Sequence, residues 1–135
     1  MRTVFADTFC WIALTNPRDA SHQQVKRLRQ SLGSVRLVTT DEVLGEFLTF
    51  LAGFGPSMRA NAVRTVERLL NSPQVAVLPQ SRDTFFHALA LYAARPDKGY
   101  SLTDCSSMAS MREHRIIEVL TQDHHFAQEG FVLVA

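Results

Sequence analysis

Cysteine is scarce in this chain: Cys10 and Cys105 are the only two in 135 residues, far apart and with no CxxC or Cys/His spacing around them. That excludes a disulfide framework, gives no sign of structural zinc, and suits a reducing compartment. Glycine and proline are also few, 6 and 5; with 46% hydrophobic and 20% charged residues, collagen-like, low-complexity and disordered chains are excluded. Neither sign of charge dominates. Fourteen Lys and Arg stand against 13 Asp and Glu, so no overall field draws nucleic acid in, and any binding must be local. Asp, Glu, Arg or Gly interrupts every apolar run well before the ~18 residues of a membrane span, and Met1 to Asp7 lacks the apolar stretch of a secretory signal. The expectation is one globular domain over residues 1–135, cytoplasmic and without a membrane.

Short apolar runs supply the strands: Thr3 to Ala6, Arg36 to Thr39, Val75 to Leu78, Val119 to Thr121 and Phe131 to Val134. Between them lie helical segments. One or two turns capped by Thr8 end at Asn16-Pro17, and an amphipathic stretch from Ser21 to Leu32 closes at Gly33. Thr40 or Asp41 then caps a helix, apolar nearly all round, that stops before Gly53. Further helices are expected over Pro56 to Leu70, Ser81 to Arg95 and around Thr103 to His114. Strands of four or five residues alternating with helices make an α/β fold, with a mostly parallel sheet of about five strands covered on both faces. Phe47, Phe50, Phe54, Phe85 and Phe86 sit at helical spacing and are expected mostly in the core, the remainder serving a protein interface.

In such sheets the ligand site lies beyond the carboxyl ends of the strands. Asp7 follows the first strand and Asp123 the fourth, so one site can hold both, although each alone reads equally well as a helix or turn cap. Glu46 falls mid-helix among Val43, Phe47, Leu48 and Phe50, where an unpaired carboxylate is expensive to bury. Asp104 opens a helix in Ser101-Leu102-Thr103-Asp104-Cys105, where capping alone accounts for it. Converging carboxylates repel one another and raise their own pKa values, whereas a hard divalent cation, Mg²⁺ or Mn²⁺, holds them ionised. Cys10 and Cys105 read as small buried hydrophobes, and His124-His125, with no HxH or HExxH partner, is left out of the site.

The succession Val4-Phe5-Ala6-Asp7-Thr8, Val43-Leu44-Gly45-Glu46, Ser101-Leu102-Thr103-Asp104-Cys105 and Leu120-Thr121-Gln122-Asp123-His124-His125-Phe126 resembles the PIN-domain nucleases, notably the VapC-like toxins of toxin-antitoxin pairs. The resemblance spans essentially the whole chain. It implies a three-layer α/β/α sandwich and a metal-dependent endoribonuclease, with Asp7, Glu46, Asp104 and Asp123 as catalytic and metal-binding acids. Thr8 and Thr121 are then expected to hydrogen-bond behind the acids, Lys98 is a candidate phosphate contact, and Glu42, one turn from Glu46, shares or takes over its role. RNA, a cognate antitoxin and a second copy of the chain are the partners this implies. Two alternatives remain: a non-catalytic RNA-binding module of the same fold, and a phosphoacceptor receiver domain, for which Val75-Ala76-Val77-Leu78-Pro79 lacks the acceptor Asp.

Overall fold

The computed structural model describes residues 1–134. Its strands are β1 (Thr3–Ala6), β2 (Arg36–Thr40), β3 (Val75–Leu78), β4 (Glu118–Leu120) and β5 (Val132–Leu133), in the spatial order β3-β2-β1-β4-β5. Every pairing is parallel. The helices are α1 (Thr8–Thr15), α2 (His22–Ser31), α3 (Asp41–Leu51), α4 (Pro56–Asn71), α5 (Arg82–Ala94), α6 (Leu102–Glu113) and α7 (His125–Gln128). None of the described helices is long and apolar enough to cross a membrane.

β1 is central, and Val4, Phe5 and Ala6 are wholly buried, as an uninterrupted apolar run on a two-sided strand requires. From β1 the chain steps outward through β2 to β3 and then returns to the other side of β1 to make β4 and β5. Right-handed crossovers put α1 to α4 on one face and α5 and α6 on the other. The direction reverses between β1 and β4, so their carboxyl ends flank the crevice that this topology offers to a ligand.

Local chemistry sets the boundaries. Thr40 caps α3 by accepting from the Val43 N–H, Pro56 occupies the first turn of α4, and Ser81 and Thr84 close a capping box on α5. Four expectations need correction. The residue capping α1 is Asp7, not Thr8. Thr121 lies just beyond β4, β5 is two residues long, and between them the chain makes α7, a turn of helix the sequence pattern did not indicate. Of the five phenylalanines assigned to the core only Phe47 is fully buried; Phe50, Phe54, Phe85 and Phe86 are 42–51% exposed. The reason on α5 is that it packs chiefly on α6 and not on the sheet, so its outer face has no cover.

Candidate active site

Asp7 leaves the buried end of β1 and is itself only 6% exposed. Burial pushes its carboxyl up to about 7; the Thr8 backbone N–H and the Thr121 hydroxyl oppose this in part, and the charges of Asp104 and Glu46 add to it. Thr121, just past β4, donates to Asp7 Oδ2 at 3.0 Å and accepts the Asp123 N–H at 3.1 Å. One hydroxyl thus ties the two strand ends together.

The start of α6 supplies Asp104. Its N–H is accepted by Ser101 Oγ and its Oδ2 accepts the Ser101 N–H, both at 3.0 Å, so the capping box is complete. Capping and site membership are not alternatives here, because the same Oδ2 lies 3.4 Å from Nδ1 of His125. Burial raises the Asp104 pKa, the Ser101 N–H and His125 lower it, and the Asp123 charge raises it. Asp123 Oδ1 accepts the His125 N–H at 2.9 Å and stands 3.3 Å from the ring Nδ1. Asp104, Asp123 and His125 offer ligand atoms that all lie within 4.8 Å of one another.

The tightest group is Asp104, Asp123 and His125; Asp7 feels the charges of Asp104 and Glu46, and Asp104 that of Asp123. His125, left out of the expected site for want of an HxH or HExxH partner, is brought in by the turn after Asp123, which folds its ring back onto the acids. Its signal was the Asp-x-His spacing, in which the acid accepts the N–H two residues on. Behind it the Tyr100 ring meets the imidazole edge to face at 5.0 Å, and the Tyr100 hydroxyl donates to Glu129 Oε2 at 2.9 Å. Glu129, with a side chain 5% exposed, also receives Arg95 at 2.9 Å and Arg112 at 2.8 Å. Burial of Glu129 works against its charge, but Arg95, Arg112 and Tyr100 outweigh it and bring the carboxyl down to about 2.

The remaining expected residues fare differently. The Thr8 hydroxyl is buried without a hydrogen-bond partner, so only its backbone N–H acts on Asp7. Lys98 is exposed on the turn before α6, where its nearest carboxylate is Asp97 at 4.0 Å. Gly99, at φ 71°, turns the chain from there to bury Tyr100. Both cysteines are buried and unpaired; burial first, then the Asp7 charge, pushes the Cys10 thiol up to about 12, which keeps it protonated and unfit as a ligand.

Among the described residues no Lys or Arg pairs with Asp7, Glu46, Asp104 or Asp123. An oxygen-rich group with no fixed cation, holding one buried carboxyl near neutrality, is the donor set that fits a divalent metal ion.

The PIN domain model matches residues 4–131. The 23S rRNA-specific endonuclease VapC20 of Mycobacterium tuberculosis is 34% identical over 134 residues, covering 97% of each chain. The crystal structure of that protein, described as a sarcin-ricin loop cleaving toxin, superposes with a TM-score of 0.85 at 31% identity over 96% of each chain. FitAcB from Neisseria gonorrhoeae has a TM-score of 0.63 at 19% identity, over 96% of this chain and 95% of that one, and shares the fold.

Proposed function

Since this chain belongs to the PIN-domain family, we propose that it is a metal-dependent endoribonuclease of the VapC toxin type, built as one domain over residues 1–135. The observation that carries this reading is the cluster of Asp104, Asp123 and His125 beside the strand ends, with Asp7 feeling the charges of Asp104 and Glu46 and no Lys or Arg paired with the four acids. The resemblance to a 23S rRNA endonuclease makes the sarcin-ricin loop of 23S rRNA the first substrate to test.

Asp7, Glu46, Asp104 and Asp123 would hold Mg²⁺ or Mn²⁺, with His125 a further nitrogen donor at Asp104 and Asp123. Such a cation supplies the positive charge that a phosphodiester needs where acids alone would repel it. The chain's own part is placement. Thr121 fixes the Asp7 carboxylate against the Asp123 backbone, and the Ser101 capping box fixes Asp104. Hydrolysis then forms a phosphorus–oxygen bond from water and breaks one to the leaving ribose oxygen.

Incubating the protein with a 23S rRNA fragment containing that loop tests the reading. Cleavage with Mn²⁺ or Mg²⁺ is expected, and its persistence in excess EDTA would remove the metal. Intact but bound RNA would favour a non-catalytic module instead. Lys98 serves as a phosphate contact in this scheme: Lys98→Ala should weaken RNA binding several-fold, more so at low salt, with an unchanged melting temperature. An unaltered dissociation constant takes Lys98 out of the site. The toxin reading also brings a cytoplasmic location, a cognate antitoxin and a homodimer, for which Phe85, Phe86, Leu89 and Tyr92 on α5 offer apolar surface.

A further inference from the structure

Two histidines follow Asp123, and the turn treats them differently. His124 is exposed, whereas His125 is half-buried with its ring against the acids. Its Nδ1 stands 3.3 Å from Asp123 Oδ1 and 3.4 Å from Asp104 Oδ2. Donors side by side on a six-coordinate ion with bonds of about 2.1 Å stand about 3 Å apart, so this nitrogen and these two oxygens already lie close to ligand spacing. Glu42, one turn from Glu46 on α3, is outside this group, and its Oε2 takes the Ser106 hydroxyl at 2.9 Å. The donor that joins the two acids is an imidazole.

Two contacts away from the acids hold the ring in place. Phe126, the next residue, is wholly buried and anchors the turn, and Tyr100 meets the imidazole edge to face at 5.0 Å. Tyr100 is fixed in turn by the hydrogen bond from its hydroxyl to Glu129. A ring placed in advance loses little freedom when it binds, and a ligand oriented from behind is the common arrangement at metal sites.

A nitrogen changes which ion such a group prefers. Mg²⁺ is hard, parts with its waters reluctantly and is held by carboxylates, whereas first-row transition ions gain from imidazole, and increasingly so from Mn²⁺ to Co²⁺. We propose that His125 Nδ1 ligates the ion held by Asp104 and Asp123, and that it sets the preference of the site for a transition ion, Mn²⁺ or Co²⁺, over Mg²⁺. This rests on the metal-dependent nuclease reading for the site itself and goes beyond it by naming the residue that chooses the ion.

The test uses the metal-free protein and contains no RNA. Mn²⁺ binding, read from the loss of the free-ion electron paramagnetic resonance signal, and Mg²⁺ and Co²⁺ binding, read by competition, should give affinities rising from Mg²⁺ through Mn²⁺ to Co²⁺. His125→Asp, which replaces the nitrogen by an oxygen donor, should cut the ratio of Mn²⁺ to Mg²⁺ affinity about tenfold and flatten the rise to Co²⁺. Electron spin echo modulation of the Mn²⁺-loaded wild type should show coupling to ¹⁴N, converted to ¹⁵N coupling when histidine alone is labelled and lost in His125→Asp. The wild-type spectrum decides the question without any variant having to fold. Absence of nitrogen coupling would overturn the proposal and leave His125 a counter-charge to the acids. An affinity ratio equal in wild type and variant, or coupling that persists in His125→Asp, would overturn it too. A nitrogen-coupled ion in a protein that leaves RNA intact would count against the nuclease reading alone, and metal-dependent cleavage without nitrogen coupling against the His125 assignment alone.

Discussion

Asp7→Asn should abolish RNA cleavage and at the same time raise the melting temperature of the metal-free protein at pH 8. In the folded chain Asp7 keeps its proton to about pH 7, against an ordinary value of 3.8. The native state therefore binds a proton that the unfolded state has released, and metal-free stability falls as pH rises from about 4 through 7. Asn removes that penalty while keeping an oxygen for the Thr121 hydroxyl. A gain of about 2 kcal/mol, roughly 5 °C or more, is expected at pH 8 and should shrink towards pH 4. Mn²⁺ should stabilise the wild type and do much less for the variant. Thermal melts across pH, with and without Mn²⁺, beside a cleavage assay, make the check. Wild-type cleavage by Asp7→Asn ends its catalytic assignment, and a collapsed metal-free fold would make it structural.

The second large effect lies at Glu129, where removal of one carboxylate releases three groups. Glu129→Ala frees Arg95, Arg112 and the Tyr100 hydroxyl, and with them the link between α5, α6 and α7. The two arginines are 38% and 46% exposed and can be rehydrated, which holds the loss to about 2 kcal/mol. A carboxyl brought down to about 2 from an ordinary value of 4.5 contributes stability that is complete above 4.5 and lost as pH falls towards 2. Urea unfolding at pH 7 and at pH 2.5 should therefore show the gap between Glu129→Ala and wild type narrowing in acid. A gap that is the same at both values would mean that packing, not charge, holds this corner. Because the Tyr100 ring supports His125, Glu129→Ala should also lower kcat, whereas Tyr100→Phe keeps the ring and should lower it less.

The sheet was legible because its signals are local and redundant. Val4 to Ala6, Leu37 to Thr39 and Val75 to Leu78 are short apolar runs bounded by polar residues, and a parallel strand buried on two faces leaves that trace. The meeting of Asp7 with the Asp123 turn was legible because strand ends point at the crevice once the topology is guessed. The corner after β4 was not. Whether Asp123-His124-His125 runs on or coils depends on the packing of Phe126 and Phe131, whose rings meet at 6.3 Å, and no window of sequence contains that contact as a signal. Burial of α5 was misjudged for a different reason. Periodicity tells which side chains share a face; it does not tell whether a second layer exists to cover them.

The pairing of β1 with β4 also has a kinetic side. Val4, Phe5 and Ala6 meet Glu118, Val119 and Leu120, and the hydroxyl that joins Thr121 to Asp7 spans 114 positions of sequence. Closing so long a loop comes late in folding, after the nearer pairings of β1 with β2 and of β2 with β3 have recovered part of the entropy. The acidic group is therefore completed only when β4 has closed on β1 and brought the Asp123 turn to Asp7.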